Sequence, residues 1–398
     1  MLISTGTASR EVQIARNAVL ATFFLNGFVF ATWASRIPSI RQSLDLGPGQ
    51  LGLLLFAVSL GSVIALPTSG GTVQRFGARR VVIAAAAIEA AGLLLVGVGA
   101  GTLETVSVAA AGLFLVGIGT GSWDVAMNVE GAEVERLLNR SVMPRFHALF
   151  SLGTVAGAAL GALVTYVGLG IAWHVSAVAV LVAALVGWSV RGFLPHQPRT
   201  HETPPSHALR AWTEPRTLLI GVMVLAMALT EGVANDWLAV AMVDGYGAEP
   251  WLGAAALALF VTAMTAGRVS GTVLLDNFGR LPVIWGSMAV AALGVLLVVL
   301  GQVPVLATLG IVLWGVGASL GFPVGMSAAA DDPTKAAARL SVVSTIGYTA
   351  FLGGPPLVGF LGAQVGVLQA LLVVSVILVP SALAVPAARR QSSPELAA

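Results

Sequence analysis

No cysteine occurs in this chain, so disulfides, thiolate chemistry and cysteine metal sites are excluded. Charge is also scarce: 10% of the 398 residues are charged, against about 25% in a soluble domain. There is one lysine, Lys335. Basic residues number 20 and acidic residues 18, with no basic run or stripe among them, which excludes a nucleic-acid partner. The phosphate-binding pattern GxxxxGK[ST] is missing, so nothing supports ATP as a driving force. His-Glu-x-x-His is missing too, and His196, His201 and His207 stand in a polar stretch without ligand spacing. The expectation is a chain that is not an enzyme, with no catalytic residue, no cofactor and no metal.

What the chain has instead is apolar length. Hydrophobic residues make up 57% of it, and stretches such as Val81–Val98, Val283–Leu300 and Leu340–Pro380 carry little or no charge. A span of roughly 20 apolar residues crosses a hydrocarbon core. The polar start, with no small-residue cleavage site, predicts that the first helix stays in the membrane. The pattern predicts an all-α integral membrane protein whose solvent is the lipid bilayer. Its spans are 17–38, 49–69, 80–100, 105–128, 146–167, 170–191, 217–240, 252–274, 281–301, 304–327, 337–362 and 366–387. These fall into an N-terminal six-helix bundle (1–191), a polar cytoplasmic linker (192–216) and a C-terminal six-helix bundle (217–398).

Orientation follows from the basic residues. With the N-terminus inside, all of the 20 except Arg36 and Arg41 lie on or near the cytoplasmic side, which satisfies the positive-inside rule over many loops. An even number of spans then puts both termini in the cytoplasm of a multi-pass cell-membrane protein. The halves also echo each other. GGTVQRFGARR (70–80) follows the second span and GTVLLDNFGR (271–280) follows the eighth, with the two Phe-Gly pairs 202 residues apart (279 − 77). Repeats of this kind are expected of transporters whose halves move about a central site.

These loops resemble the signature of the major facilitator superfamily, Gly-x-Leu-Ala-Asp-Arg-x-Gly-Arg-Lys. Gly70, Arg75, Gly77, Arg79 and Arg80 match it in the first half, and Asp276, Gly279 and Arg280 in the second. Gln74 stands where the family has Asp. The resemblance implies a gating loop whose acidic group latches the halves, so the substitution implies a weaker latch or other partners. FFLNGFVFATWASRIPSIRQSL (23–44), GSWDVAMNVEGAEVERLLNRSVMPRFHALFSLG (121–153), LTEGVANDWLAV (229–240) and STIGYTAFLGGPPLVGF (344–360) resemble the fucose-permease-like branch. That branch has an acid followed four residues later by Asn on the fourth helix, tied to proton and sugar handling. Asp124 and Asn128 match it. The branch's first-helix carboxylate is replaced by Ala34 and Arg36. The Gly-Pro pair that drug-proton antiporters of this fold carry in the fifth helix is absent at Gly157-Ala158, and Gly354-Pro355 has it in the eleventh.

A charge inside a span costs several kcal/mol unless it faces a partner or a cavity, so each one is a site candidate. Asp124 and Asn128 share a helix face; measured from the predicted helix start, Asp124 lies towards the cytoplasmic end. Its alternative role is an interfacial carboxylate for Arg136, Arg140 or Arg145. Glu231 and Asn235 repeat the acid-amide spacing near mid-membrane on the seventh helix. Asp236 is turned about 140° from Glu231 in a regular helix, and either meets the outer interface or faces the cavity. In the resembled fold the first and seventh helices line that cavity. Glu231 and Asp124 are therefore the proton-coupling candidates, and Asn26, Trp33, Arg36, Asn128, Asn235, Asp236, Trp237 and Tyr348 the substrate-cavity candidates. Arg36 either pairs with Asp45 at the surface or holds a carboxylate of the substrate or of Asp236. Glu89 has a structural partner, stands as a lipid-side defect, or has a role of its own. His147 either relays a proton to Asp124 or caps its helix start. The expectation is a monomeric secondary transporter for a small-molecule substrate, working by alternating access with the proton as coupling ion in uptake. Proton-antiport efflux of hydrophobic compounds is the nearest alternative, and a channel or non-transporting scaffold the alternative from another class.

Overall fold

The computed structural model describes residues 5–138, 142–195, 211–332 and 335–389. Most of the predicted linker, both extreme termini and Arg140 lie outside the described residues. Among the described residues twelve helices are long and apolar enough to cross a membrane: α1 Arg10–Ser43, α2 Pro48–Phe76, α3 Ala78–Gly101, α4 Val106–Leu138, α5 Met143–Tyr166, α6 Ile171–Gly192, α7 Pro215–Tyr246, α8 Pro250–Gly271, α9 Arg280–Leu300, α10 Pro304–Ala329, α11 Ala338–Val365 and α12 Val367–Ala388.

Several of these helices outrun the sequence-based spans, because hydropathy fades at a helix end before helical geometry does. The helix of α4 continues ten residues past the expected 128, to Leu138. The correction at the repeated motif is larger. Gly70–Phe76 is the last two turns of α2, and α3 begins at Ala78, so the expected loop is the single residue Gly77. Its φ of 84° and ψ of 150° fall in a region open essentially to glycine alone. Gly279, with φ 75° and ψ 174°, makes the same one-residue turn between the α8 helix, which runs to Phe278, and α9. A side chain at Gly77 is expected to cost about 1–3 kcal/mol. Gly77→Ala should lower the unfolding midpoint of the purified protein, whereas Gly70→Ala, whose Cβ would meet nothing within 4 Å, should not. Equal midpoints for the two variants would remove the turn requirement.

The backbone carries the repeat further than the sequence does. Eight described residues have positive φ: Asp45, Gly77, Glu104, Gly168, Gly247, Gly279, Gln302 and Gly366. They form four pairs at the same topological places, 202 apart for Asp45/Gly247 and Gly77/Gly279 and 198 apart for Glu104/Gln302 and Gly168/Gly366. Helix packing is repeated as well. α1 packs on α5 and α3 on α4 and α6, as α7 packs on α11 and α9 on α10 and α12. A Cβ on Gly92 would come 2.6 Å from the Gly112 carbonyl oxygen, and one on Gly294 would come 2.6 Å from that of Gly310. Lipid tails are as apolar as leucine, so helices in a bilayer are held by close van der Waals contact, which small residues permit.

The chain forms two compact units, Met1–Thr200 with Gly247–Ala258, and His201–Tyr246 with Leu259–Ala398. In the first, Phe23 stacks on Phe146 at 5.6 Å, and Tyr166 meets Trp251 edge-on at 5.2 Å. In the second, Phe260 meets Trp314 edge-on at 5.7 Å.

Candidate functional site

In the second unit two interrupted helices meet at one arginine. α7 is α-helical over Pro215–Val233, makes a π-turn over Ala234–Leu238 and resumes as Ala239–Tyr246. The interruption has a local cause. The Trp314 indole donates to the Thr230 carbonyl at 3.0 Å, and the Ala234 amide goes to Glu231 O instead of the carbonyl four residues back. A side chain inserted into the i→i−4 ladder is a common origin of such defects, and π-turns gather at functional sites. α10 is also broken, into Pro304–Ala318 and Gly321–Ala329. Ser319, at the break, offers its carbonyl to Arg268 Nε at 3.4 Å.

Arg268 Nη2 donates to both carboxylate oxygens of Glu231, each at 3.0 Å. The two side chains are mostly buried, at 27% and 18% exposed. Glu231 is thus not the lone carboxylate that its neighbours in sequence suggest. The positive-inside rule puts Arg268 with the cytoplasmic arginines. It stands ten residues inside the helix end at Phe278, about 15 Å along the axis. In the π-turn Asn235 and Trp237 are buried, and the Trp237 indole nitrogen has no partner among the described residues. The π-turn also alters the expected geometry of Asp236. With i→i+5 bonding over 234–238, the rotation from Glu231 to Asp236 is smaller than the 140° of a regular helix. Tyr348 packs with Phe322 and Phe351, at 6.4 and 6.3 Å between ring centroids.

In the first unit Asn128 Nδ2 donates to the Asp124 carbonyl at 2.8 Å and its carboxylate at 3.3 Å. Asp124 lies 18 residues after Val106 and 14 before Leu138 (124 − 106, 138 − 124), near mid-helix rather than at the cytoplasmic end, because α4 is longer than its apolar run. Arg136, one proposed interfacial partner, instead pairs with Glu133. Asn26 and Trp33 are each 2% exposed, and Asn26 Nδ2, Trp33 Nε1 and Trp123 Nε1 have no partners among the described residues. Glu89 has a structural partner, the Thr120 hydroxyl, which donates to it at 3.0 Å. His147 packs edge-on to Phe23 at 5.2 Å. Arg36 does not pair with Asp45, which is exposed; its guanidinium donates to Thr165 Oγ1 at 2.5 Å and the Leu169 carbonyl at 2.9 Å.

The motif residues separate in the same way. Gln74, Arg75, Arg79 and Arg80 are exposed, and the Arg75 guanidinium lies 5.2 Å from the Phe76 ring centre. Asp276 is exposed and makes no ion pair among the described residues. Arg280 instead donates to both oxygens of Asp331 at 3.0 Å, and Arg216 donates to the same carboxylate at 2.9 Å. Those two arginines also take the Ala387 and Ala388 carbonyls, fastening the end of α12. Asp331 carries no sequence signal beyond its position after an apolar run. Arg268 did carry one, an arginine set among small residues in AMTAGRVSG. The stretch Gly317–Gly321 spells Gly-x-Ser-x-Gly, but Ser319 sits between two helical segments and donates its hydroxyl to the Val316 carbonyl. It does not sit on the strand-to-helix elbow that makes such a serine nucleophilic.

The repeat separates frame from site. Applying the offsets of 198 and 202, Asp124 corresponds to Phe322, Glu89 to Ala291, Glu231 to Val29 and Arg268 to Leu66. Turns and glycine contacts recur in both halves, whereas the membrane-embedded charges do not.

Comparison with known proteins agrees with this frame. The family model described as Major Facilitator Superfamily matches residues 19–351. The chain is similar to an uncharacterised MFS-type transporter of Yersinia pestis, with 31% identity over 90% of this chain and 92% of that one. It is also similar to the uncharacterised transporter y4wD of Sinorhizobium fredii, with 32% identity over 88% and 92%. Among solved structures its fold is similar to the nucleoside transporter NupG, with 13% identity, a TM-score of 0.79 and coverage of 94% and 99%. It is likewise similar to a D-xylose-proton symporter (16%, TM-score 0.78, 96% and 100%) and to the E. coli fucose:proton symporter FucP (15%, TM-score 0.63, 96% and 100%).

Proposed function

We propose, for a chain that belongs to the Major Facilitator Superfamily, the proton-coupled uptake of a small polar solute by alternating access, with Glu231 as the proton-binding group. The chain is a multi-pass membrane transporter and not an enzyme. The observation that carries the proton step is the Arg268–Glu231 pair, one guanidinium nitrogen on both carboxylate oxygens, beside the π-turn of α7 and the break of α10. In a low-dielectric site each ion is costly without the other. A proton reaching Glu231 removes its charge and frees the Arg268 fork for an oxygen of the solute; its departure draws the arginine back. Proton and solute thereby act on one switch. Asp124, held by Asn128 in the other unit, is the second candidate. Two neighbours in fold, the xylose and fucose transporters, are named as proton symporters, which is consistent with this reading.

Proteoliposomes tested with labelled sugars, organic acids and nucleosides should accumulate at least one of them only under a pH gradient. One proton per solute supports about tenfold accumulation per pH unit. Gradient-driven extrusion of hydrophobic dyes with no polar solute accumulated would favour efflux and overturn the proposal. Orientation has its own test, made simple because the chain has no cysteine. A cysteine at exposed Glu249 should react with an impermeant thiol reagent in intact cells, and one at exposed Arg79 should react only after permeabilisation. The opposite pattern would invert the topology.

A further inference from the structure

Arg36 is 3% exposed and His174 2% exposed, where α1, the end of α5 and the start of α6 come together. The break in α1 places the arginine there. The helix Thr5–Ala34 stops, a short helix Ile37–Ser43 resumes with proline in its first turn, and Arg36 stands between them. Its guanidinium donates to two neutral oxygens, Thr165 Oγ1 and Leu169 O, and its Nε has no partner among the described residues. His174 stands in the first turn of α6, its amide bonded to the Gly170 carbonyl one residue past Leu169, and both ring nitrogens lack partners among the described residues. The acids nearest in sequence to this end of the unit, Asp45 and Glu104, are exposed, and neither forms an ion pair with Arg36.

An arginine remains charged in a protein. A buried cation satisfied only by a hydroxyl and a carbonyl lacks the counter-charge that usually offsets its desolvation. A structural staple for the α5–α6 turn would account for the two hydrogen bonds. It would not account for an imidazole with both nitrogens unused, buried in the helix turn that follows the Leu169 carbonyl held by the cation, and the two side chains come from different helices. Two neighbouring helices bury unpartnered polar atoms here, and no acidic group bonds either side chain among the described residues, so the complement is an anion small enough to enter a buried site. We infer that Arg36 and His174 form a binding site for a small monoanion, either chloride or the carboxylate of a small acid. The site lies in the first unit, separate from the Glu231–Arg268 switch, so the inference does not depend on the proposed coupling.

Detergent-purified full-length protein should bind radiolabelled chloride saturably, with acetate competing, in a scintillation proximity assay. Arg36→Gln should abolish binding, and His174→Gln should weaken it by about tenfold, the worth of one charge-assisted hydrogen bond. Arg36→Lys, which keeps the charge, should retain part of it, which controls for variants that fail to fold. Binding of chloride alone assigns the site to halides, and binding of acetate alone assigns it to carboxylates, both in support. Wild-type protein that binds neither, or an Arg36→Gln variant that binds both like wild type, overturns the inference.

Discussion

Glu231→Gln is expected to abolish accumulation driven by a pH gradient while leaving solute exchange across the membrane nearly intact. Glutamine copies the size and hydrogen-bonding shape of the protonated acid but cannot titrate, and it cannot form the ion pair with Arg268 that now spans 3.0 Å. The variant is therefore fixed in the proton-loaded arrangement, with the Arg268 fork available to solute at every pH. Accumulation under one unit of pH difference should fall from about tenfold to about one, since no proton energy reaches the solute. Counterflow, in which labelled solute exchanges for unlabelled solute with no net proton movement, should continue. Asp124→Asn is the companion measurement, and accumulation that survives in both variants removes both carboxylates from the coupling step.

The second large effect concerns stability. Arg268→Ala should leave Glu231 without its counter-ion in the middle of α7. Removing one member of a buried pair costs about 3–5 kcal/mol, and the lower end applies because the two side chains retain 18% and 27% exposure. The expected result is a sharp fall in folded yield and in the unfolding midpoint. Adding Glu231→Gln to Arg268→Ala should recover much of the loss, since the double variant has no stranded charge. Such non-additivity is the signature of direct coupling. A single variant as stable as wild type, or a double variant no better than the single, would mean that the pair does not hold this region together.

The fold is legible in the amino-acid pattern where one physical rule dominates. Long apolar runs had to be spans, and the breakers between them marked twelve helices in the order observed. The repeated Phe-Gly pair located two turns whose equivalence is visible in their backbone angles. Helical spacing also placed Asn128 on the face of Asp124, where the two side chains are hydrogen-bonded. Partners between helices were not legible. Arg268 sits 37 residues beyond Glu231 (268 − 231), and its small-residue surroundings in AMTAGRVSG mark a buried arginine without naming its partner. For Arg36 the sequence offers either nearby Asp45 or a carboxylate of the substrate or of Asp236, yet its partners are two neutral oxygens more than a hundred residues away. The π-turn was equally hidden, since it depends on Trp314 reaching the Thr230 carbonyl from another helix.

The one-residue turns at Gly77 and Gly279 have a mechanical consequence. A longer connection would act as slack and let one helix tilt while the next stayed still. Here the amide of Gly77 is bonded back to Val73 and that of Gly279 to Leu275, and the following helix starts at the very next residue. The joint has almost no free length in which to absorb a displacement. α2 with α3, and α8 with α9, should therefore behave as bent levers, so that torque applied along one arm turns the other.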